Sequence, residues 1–172
     1  MSGEILKSLG ENLNRDMVTD LLENGFYIEN FDFLLKHMME DVKPTSWRSA
    51  WVVGHLMDEN DTRVKKILPK IIKSIKGKND GHQRELIRIV RKMKLSEREE
   101  GYFFDICVTL WEETHKKPAT RYNAVLFIIE MAKKHPEIKN ELEHLTSDYY
   151  TQTLSQGIKR IFKRKLESLE KF

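Results

Sequence analysis

The sequence predicts an all-α fold, an α-α superhelix of stacked helical hairpins, and three observations predict it. Apolar residues recur at helical spacing along almost the whole chain, and no stretch reads convincingly as a strand. Glycine and proline are scarce, at eight and four in 172 residues, which argues against a β-rich or disordered chain. The segment 44–57, Pro-Thr-Ser-Trp-Arg-Ser-Ala-Trp-Val-Val-Gly-His-Leu-Met, has almost no polar face. A helix apolar all round has to be covered by neighbours on its flanks.

Length and composition fit one domain large enough for a core, with 40% hydrophobic and 33% charged residues. A lone cysteine, Cys107, excludes an internal disulfide and suits a reducing compartment. The first residues carry no apolar run of the kind that directs secretion, and no run approaches the roughly 18 apolar residues of a membrane span. These features predict a cytoplasmic protein with no membrane partner. Net charge is +3 but uneven. Residues 1–60 carry −6, residues 61–94 carry +9, residues 95–155 carry −4 and residues 156–172 carry +4. Such asymmetry steers anionic partners, and equally describes solvated helix faces.

The elements follow in order. Residues 4–9 read as a short helix. Asn14 caps a helix to about Glu23, stopped by Gly25. Asn30 opens a helix carrying Phe31, Leu34, Leu35, Met38 and Met39, broken by Asp41 and Pro44. Thr45 or Ser46 caps the tryptophan-rich helix, where Trp47, Ala50, Trp51, Gly54 and Met57 recur at helical spacing and Trp51 is expected in the core. Asp61 caps the next helix, with Val64, Ile67, Leu68, Ile71, Ile72 and Ile75 on one side and Pro69 expected to bend or break it. Asp80 and Gln83 resemble a capping box. The helix from 81 to 94 buries Leu86, Ile87, Val90 and Met93. Ser96 and Glu99 form a second box ahead of a long helix through Trp111. Pro118 fits the first position of the next helix. Pro136 starts a shorter one, and Asp148 or a neighbour caps a final amphipathic helix with Leu154, Ile158, Ile161, Phe162, Leu166 and Leu169.

Arg15, Arg48, Arg84 and Arg121 lie near the starts of successive helices, with a spacing of 33 to 37 residues. A period of that length marks stacked helical hairpins. At these residues the chain resembles the HEAT-repeat family of armadillo-type helical repeats. Ile67-Leu68-Pro69-Lys70-Ile71-Ile72-Lys73-Ser74-Ile75 matches the first helix of that repeat. Leu34-Leu35, Asp41, Trp47-Arg48-Ser49-Ala50 and Gly54 make a whole repeat with a displaced glycine, and Trp111, Arg121 and Ala124 make a looser one. The resemblance implies one domain over 1–172, with an N-terminal cap at 1–27, repeats at 28–134 and a C-terminal cap at 135–172. The layout is also similar to short bacterial HEAT-like proteins often labelled adenylosuccinate lyase. The Gly-Ser-Ser-x-Met-Pro-x-Lys-x-Asn loop that supplies the serine of that superfamily is absent. The basic helix is also compatible with a resemblance to HEAT-like alkylpurine DNA glycosylases, which bind DNA on a basic concave face, but no local motif here matches their catalytic Asp and aromatic residues.

Candidate chemistry is sparse. No His-Glu-x-x-His occurs, and the pairs Glu112/His115 and Glu141/His144 lie near predicted helix ends outside the apolar stripe, unlike a di-iron site. Cys107 has no adjacent base and reads as a buried small hydrophobe. The sequence therefore predicts no catalytic residue, cofactor or metal. Its best functional candidates are cations. Arg84, Arg88, Arg91 and Lys92 line one helix face, and Lys159, Arg160, Lys163 and Arg164 line another. The resemblance implies that second helices of hairpins line a concave face, where these residues would meet a partner. A non-enzymatic scaffold for a protein or acidic peptide is the expected function, with a nucleic-acid-binding module as the alternative. The recurring Arg48, Arg84 and Arg121 also fit a structural ladder that pairs with turn acids.

Overall fold

The computed structural model describes residues 2–10, 19, 23 and 25–167. Among these, helices alternate with short turns and no strand occurs. The chain forms two compact units, residues 1–94 and 95–172. The helix expected from Asn14 to Glu23, and Arg15 with it, falls almost wholly outside the described residues.

In the first unit the helices are α1 (Ser2–Gly10), α2 (Phe26–Glu29), α3 (Phe31–His37), α4 (Thr45–Leu56), α5 (Thr62–Lys65), α6 (Leu68–Ser74) and α7 (Asp80–Arg91). Helix α4 packs against α1, α3 and α7, so the segment apolar all round does sit among neighbours. Its covered side carries Ser46, Ser49, Ala50, Val52 and Val53. Ser49 stays satisfied there because its Oγ donates to Thr45 O at 3.0 Å. Trp47 and Trp51 are only half-buried, and His55 beyond them is exposed. The expectation that Trp51 is a core residue is therefore corrected: three neighbours cover three sides of α4, and the 47–51–55 edge is the side left over.

The isoleucine-rich segment breaks where its proline requires. Pro69 lacks an N–H and occupies the first turn of α6, which separates α5 from α6. Val64, Leu68, Ile71, Ile72 and Ile75 are buried as the periodicity predicts. The cap of α7 is one residue earlier than read: Asn79, not Asp80, accepts from His82 N at 3.1 Å. Gln83 instead donates from Nε2 to Ile75 O at 3.1 Å.

In the second unit, α8 (Glu97–Glu112) starts at the predicted Ser96/Glu99 capping box. Pro118 opens α9 (Pro118–Lys134). A 3₁₀ turn (Pro136–Ile138), α10 (Lys139–Leu145), α11 (Asp148–Thr151) and α12 (Gln156–Glu167) follow. The single final helix expected from Asp148 is thus split into α11 and α12. Helix α9 is the hub: it packs on α8, α10 and α12 and buries Ala124, Val125, Phe127, Ile128, Ile129, Met131 and Ala132. Phe103 meets Phe127 with ring centroids 4.5 Å apart, and Trp111 meets Phe162 at 5.3 Å. Cys107 is buried in this core.

Candidate partner-binding surfaces

The cations singled out by sequence lie on two helices, α7 in the first unit and α12 in the second. On α7 the surface is organised by a carboxylate that sequence reading passed over. Glu85 is 2% exposed and lies between two arginines. Arg84 reaches it through Nε at 2.8 Å and Nη2 at 2.7 Å, and Arg88 through Nη1 at 3.0 Å. A guanidinium has five N–H donors, so both arginines keep outward-facing donors after these bonds. Lys92 is committed differently. Its Nζ donates to Gly54 O at 2.8 Å and to Met57 O at 3.4 Å, which caps the C-terminal carbonyls of α4 with a cation. Arg91 is half-buried beside them.

Two further basic residues of the 61–94 segment serve the end of α3 in the same way. His82 is buried, and its Nε2–H donates to Met38 O at 2.6 Å. Lys78 Nζ donates to Met39 O at 2.9 Å and Glu40 O at 3.0 Å, and pairs with Asp41 at 2.8 Å. Burial pushes the His82 pKa below its ordinary 6.5, and the nearby Lys78 charge adds to that. The folded state therefore prefers the neutral ring, and the unfolded state binds the extra proton. The contribution of His82 to stability is fully present above about pH 6.5 and is lost as pH falls toward the depressed folded value. The melting temperature should fall as pH is lowered from 7.5 to 5. In His82→Gln, which keeps a donor but does not titrate, that slope should flatten. An unchanged slope would show that the ring carries no such linkage.

On α12 the cations are arranged more simply. Phe162 is 3% exposed and holds the helix to its own unit, with Ile158 and Leu166 half-buried on the same side. Lys159, Arg160, Lys163 and Arg164 recur at i, i+1, i+4 and i+5, running from the flank of this apolar stripe at Lys159 round to the far side at Arg160 and Arg164, and none is paired with another described residue. Arg160, Lys163 and Arg164 are exposed and Lys159 is half-exposed.

The second unit also contains a groove of about 480 Å³ between α8, the end of α9 and the 3₁₀ turn. Glu97, Glu100, Asp105 and Glu137 rim it, against one lysine, Lys134, whose Nζ is 2.7 Å from both Glu100 oxygens. Its sign is wrong for an acidic partner. Glu112, His115, Glu141 and His144 are all exposed.

The recurring arginines behave as connectors. Arg48 Nη1 donates to Leu9 O at 2.7 Å, tying α4 to the end of α1. Arg121 is fully buried and donates to Trp111 O at 2.8 Å, Tyr150 O at 2.7 Å and Thr153 Oγ1 at 2.6 Å. Their partners are mostly carbonyls rather than the turn acids expected of the ladder. Stacked hairpins, the connecting arginines Arg48 and Arg121, and the 33–37 residue period all point to a helical repeat, and the family model of the HEAT repeat domain matches residues 5–169. The chain belongs to the HEAT repeat domain family. This HEAT repeat protein matches no curated protein and no solved structure. No described helix of it is long and apolar enough to cross a membrane.

Proposed function

We propose that this HEAT repeat protein is a non-enzymatic scaffold that binds an acidic segment of another protein, or an acidic peptide, through Arg84, Arg88, Arg91 and Lys92 on α7 and Lys159, Arg160, Lys163 and Arg164 on α12. The observation that carries this reading is α12. Four cations on one side of a helix repel one another mildly, by a few tenths of a kcal/mol per pair. No described carboxylate is paired with any of them, and a bound anion relieves the repulsion. The opposite apolar side keeps the helix in place, so the basic side is free of structural duty. A cytoplasmic setting fits the single buried cysteine.

Neutral replacements test this best. Glutamate at position 88 would put a second carboxylate beside buried Glu85, and glutamate at 92 would remove the cap of α4. Changing Lys159, Arg160, Lys163 and Arg164 together to Gln should move folding stability by no more than about 0.5 kcal/mol per site, as for exposed positions generally. The same variant should bind a fluorescent Glu-rich peptide at least about tenfold more weakly than the wild type, a loss of about 1.4 kcal/mol. Equal binding would show that α12 takes no part in binding. The +9 charge of residues 61–94 favours a second reading, a nucleic-acid-binding module. Salt separates the two. A duplex contacting about five phosphates gives a log–log slope of roughly −4 to −5, whereas an acidic protein surface gives a shallower slope that acts mainly on association.

A further inference from the structure

Helices α4 and α7 run parallel. A Cβ built on Gly54 would lie 3.7 Å from Ile89 Cγ1, and Lys92 bonds the end of α4, while His82 at the start of α7 bonds Met38, seven residues before α4 begins. Both helices leave one edge uncovered. On α4 it carries Trp47, Trp51 and His55, at i, i+4 and i+8; on α7 it carries Arg84, Arg88 and Lys92, with the same spacing. Each aromatic stands 37 positions before a cation, and buried residues of α4 and α7 match at that same offset, Ser46 with Gln83, Ala50 with Ile87 and Val53 with Val90, so the two triplets hold corresponding places on the two helices. The aromatic row is stiff. The Trp51 and His55 rings lie 4.1 Å apart, and His55 Nδ1–H donates to Trp51 O at 2.7 Å. The cationic row is stiffened by Glu85 and by the Lys92 cap, and after subtracting Glu85 it holds two net positive charges.

The geometry points to an extended peptide of alternating acidic and apolar side chains, lying along the rows of α4 and α7, as the occupant of this edge. This deepens the scaffold reading and rests on it. Each step along either row is four residues of helix, about 6 Å. An extended peptide returns to the same side every second residue, about 6.6–6.8 Å. Two acidic side chains can therefore follow Arg84 and Arg88, and a third can meet the one N–H of Lys92 that its two carbonyls leave over. The apolar residues between them point the other way, toward the ring faces of Trp47, Trp51 and His55. Parallel packed helices lie about 8–10 Å apart, a width that one extended strand spans with its side chains. Charge complementarity selects acidic residues for one row, and half-buried indole faces select apolar residues for the other.

The test uses the whole protein and three fluorescent probes at one salt concentration: an alternating Glu–Leu peptide, an alternating Glu–Ser peptide of equal length and charge, and oligodeoxythymidine. The wild type should bind Glu–Leu about tenfold more tightly than Glu–Ser, a preference worth about 1.4 kcal/mol. In Trp51→Ala that preference should disappear with Glu–Ser binding unchanged. Arg84→Gln with Arg88→Gln should weaken both peptides together. Equal binding of the two peptides by the wild type overturns the aromatic row without touching the scaffold reading, and needs no variant to fold. Retention of the preference in a folded Trp51→Ala protein overturns it too. Binding of neither peptide removes the scaffold reading as well, and oligodeoxythymidine binding above both peptides replaces it with the nucleic-acid one.

Discussion

Replacing Trp111 by Ala should cost about 3–5 kcal/mol of folding free energy, one of the two largest single-residue losses expected among the described residues. The side chain is fully buried. Its Nε1–H donates to Leu145 O at 2.7 Å, which ties α8 to the end of α10. Its ring meets Phe162 of α12 and lies 4.5 Å from the Arg121 guanidinium carbon. Truncation therefore empties a core site, orphans a carbonyl and uncovers one face of a buried cation. Domains are stable by only about 5–15 kcal/mol, so the loss threatens folding. Trp51→Ala, by contrast, removes a half-buried ring and should cost clearly less. Urea denaturation of both variants measures the difference. A loss below about 1 kcal/mol for Trp111→Ala would contradict its place in the core of the second unit.

Arg121→Ala should be of similar size, about 3–5 kcal/mol, for a different reason. No described carboxylate pairs with this arginine. Burial depresses its pKa, and the positive charge is held by two carbonyls, a hydroxyl and the face of Trp111. Removing the fork leaves three acceptors without their donor, each buried unsatisfied group costing about 1–3 kcal/mol. Arg121→Met restores most of the volume and isolates that polar part. If Arg121→Met proves as stable as the wild type by denaturant titration, the guanidinium is not what joins α8 to the 150–153 turn.

The helical class and most of the core were legible because periodicity reports burial directly. Val64 to Ile75, Leu86 to Val90 and Phe103 to Trp111 follow their apolar stripes into the interior. Local chemistry was legible where one residue type admits one geometry, as with Pro69, Pro118 and the Ser96–Glu99 box. What a helix faces was not. Trp51 reads as core by size and spacing, yet its edge is the one α4 leaves uncovered, and only the neighbours decide that. The cations were found by their spacing on the two helices, but their engagement was hidden. Lys78, His82 and Lys92 count as charge in a sequence and as caps in the fold. Glu85 is one acid among many until its burial between Arg84 and Arg88 is seen. The connecting arginines were visible as a period, while their carbonyl partners lie 10 to 39 residues away and leave no local mark.

The caps have a direction. Lys78, His82 and Lys92 each close a helix end made 35 to 44 residues earlier in the chain. During synthesis from the N-terminus, the end of α3 therefore leaves the ribosome with its carbonyls open to water. It stays so until residue 78 has emerged in turn, and α4 waits for residue 92. Each hairpin is fastened by its successor, so the first unit acquires its final rigidity in the order of translation, one repeat behind the emerging end.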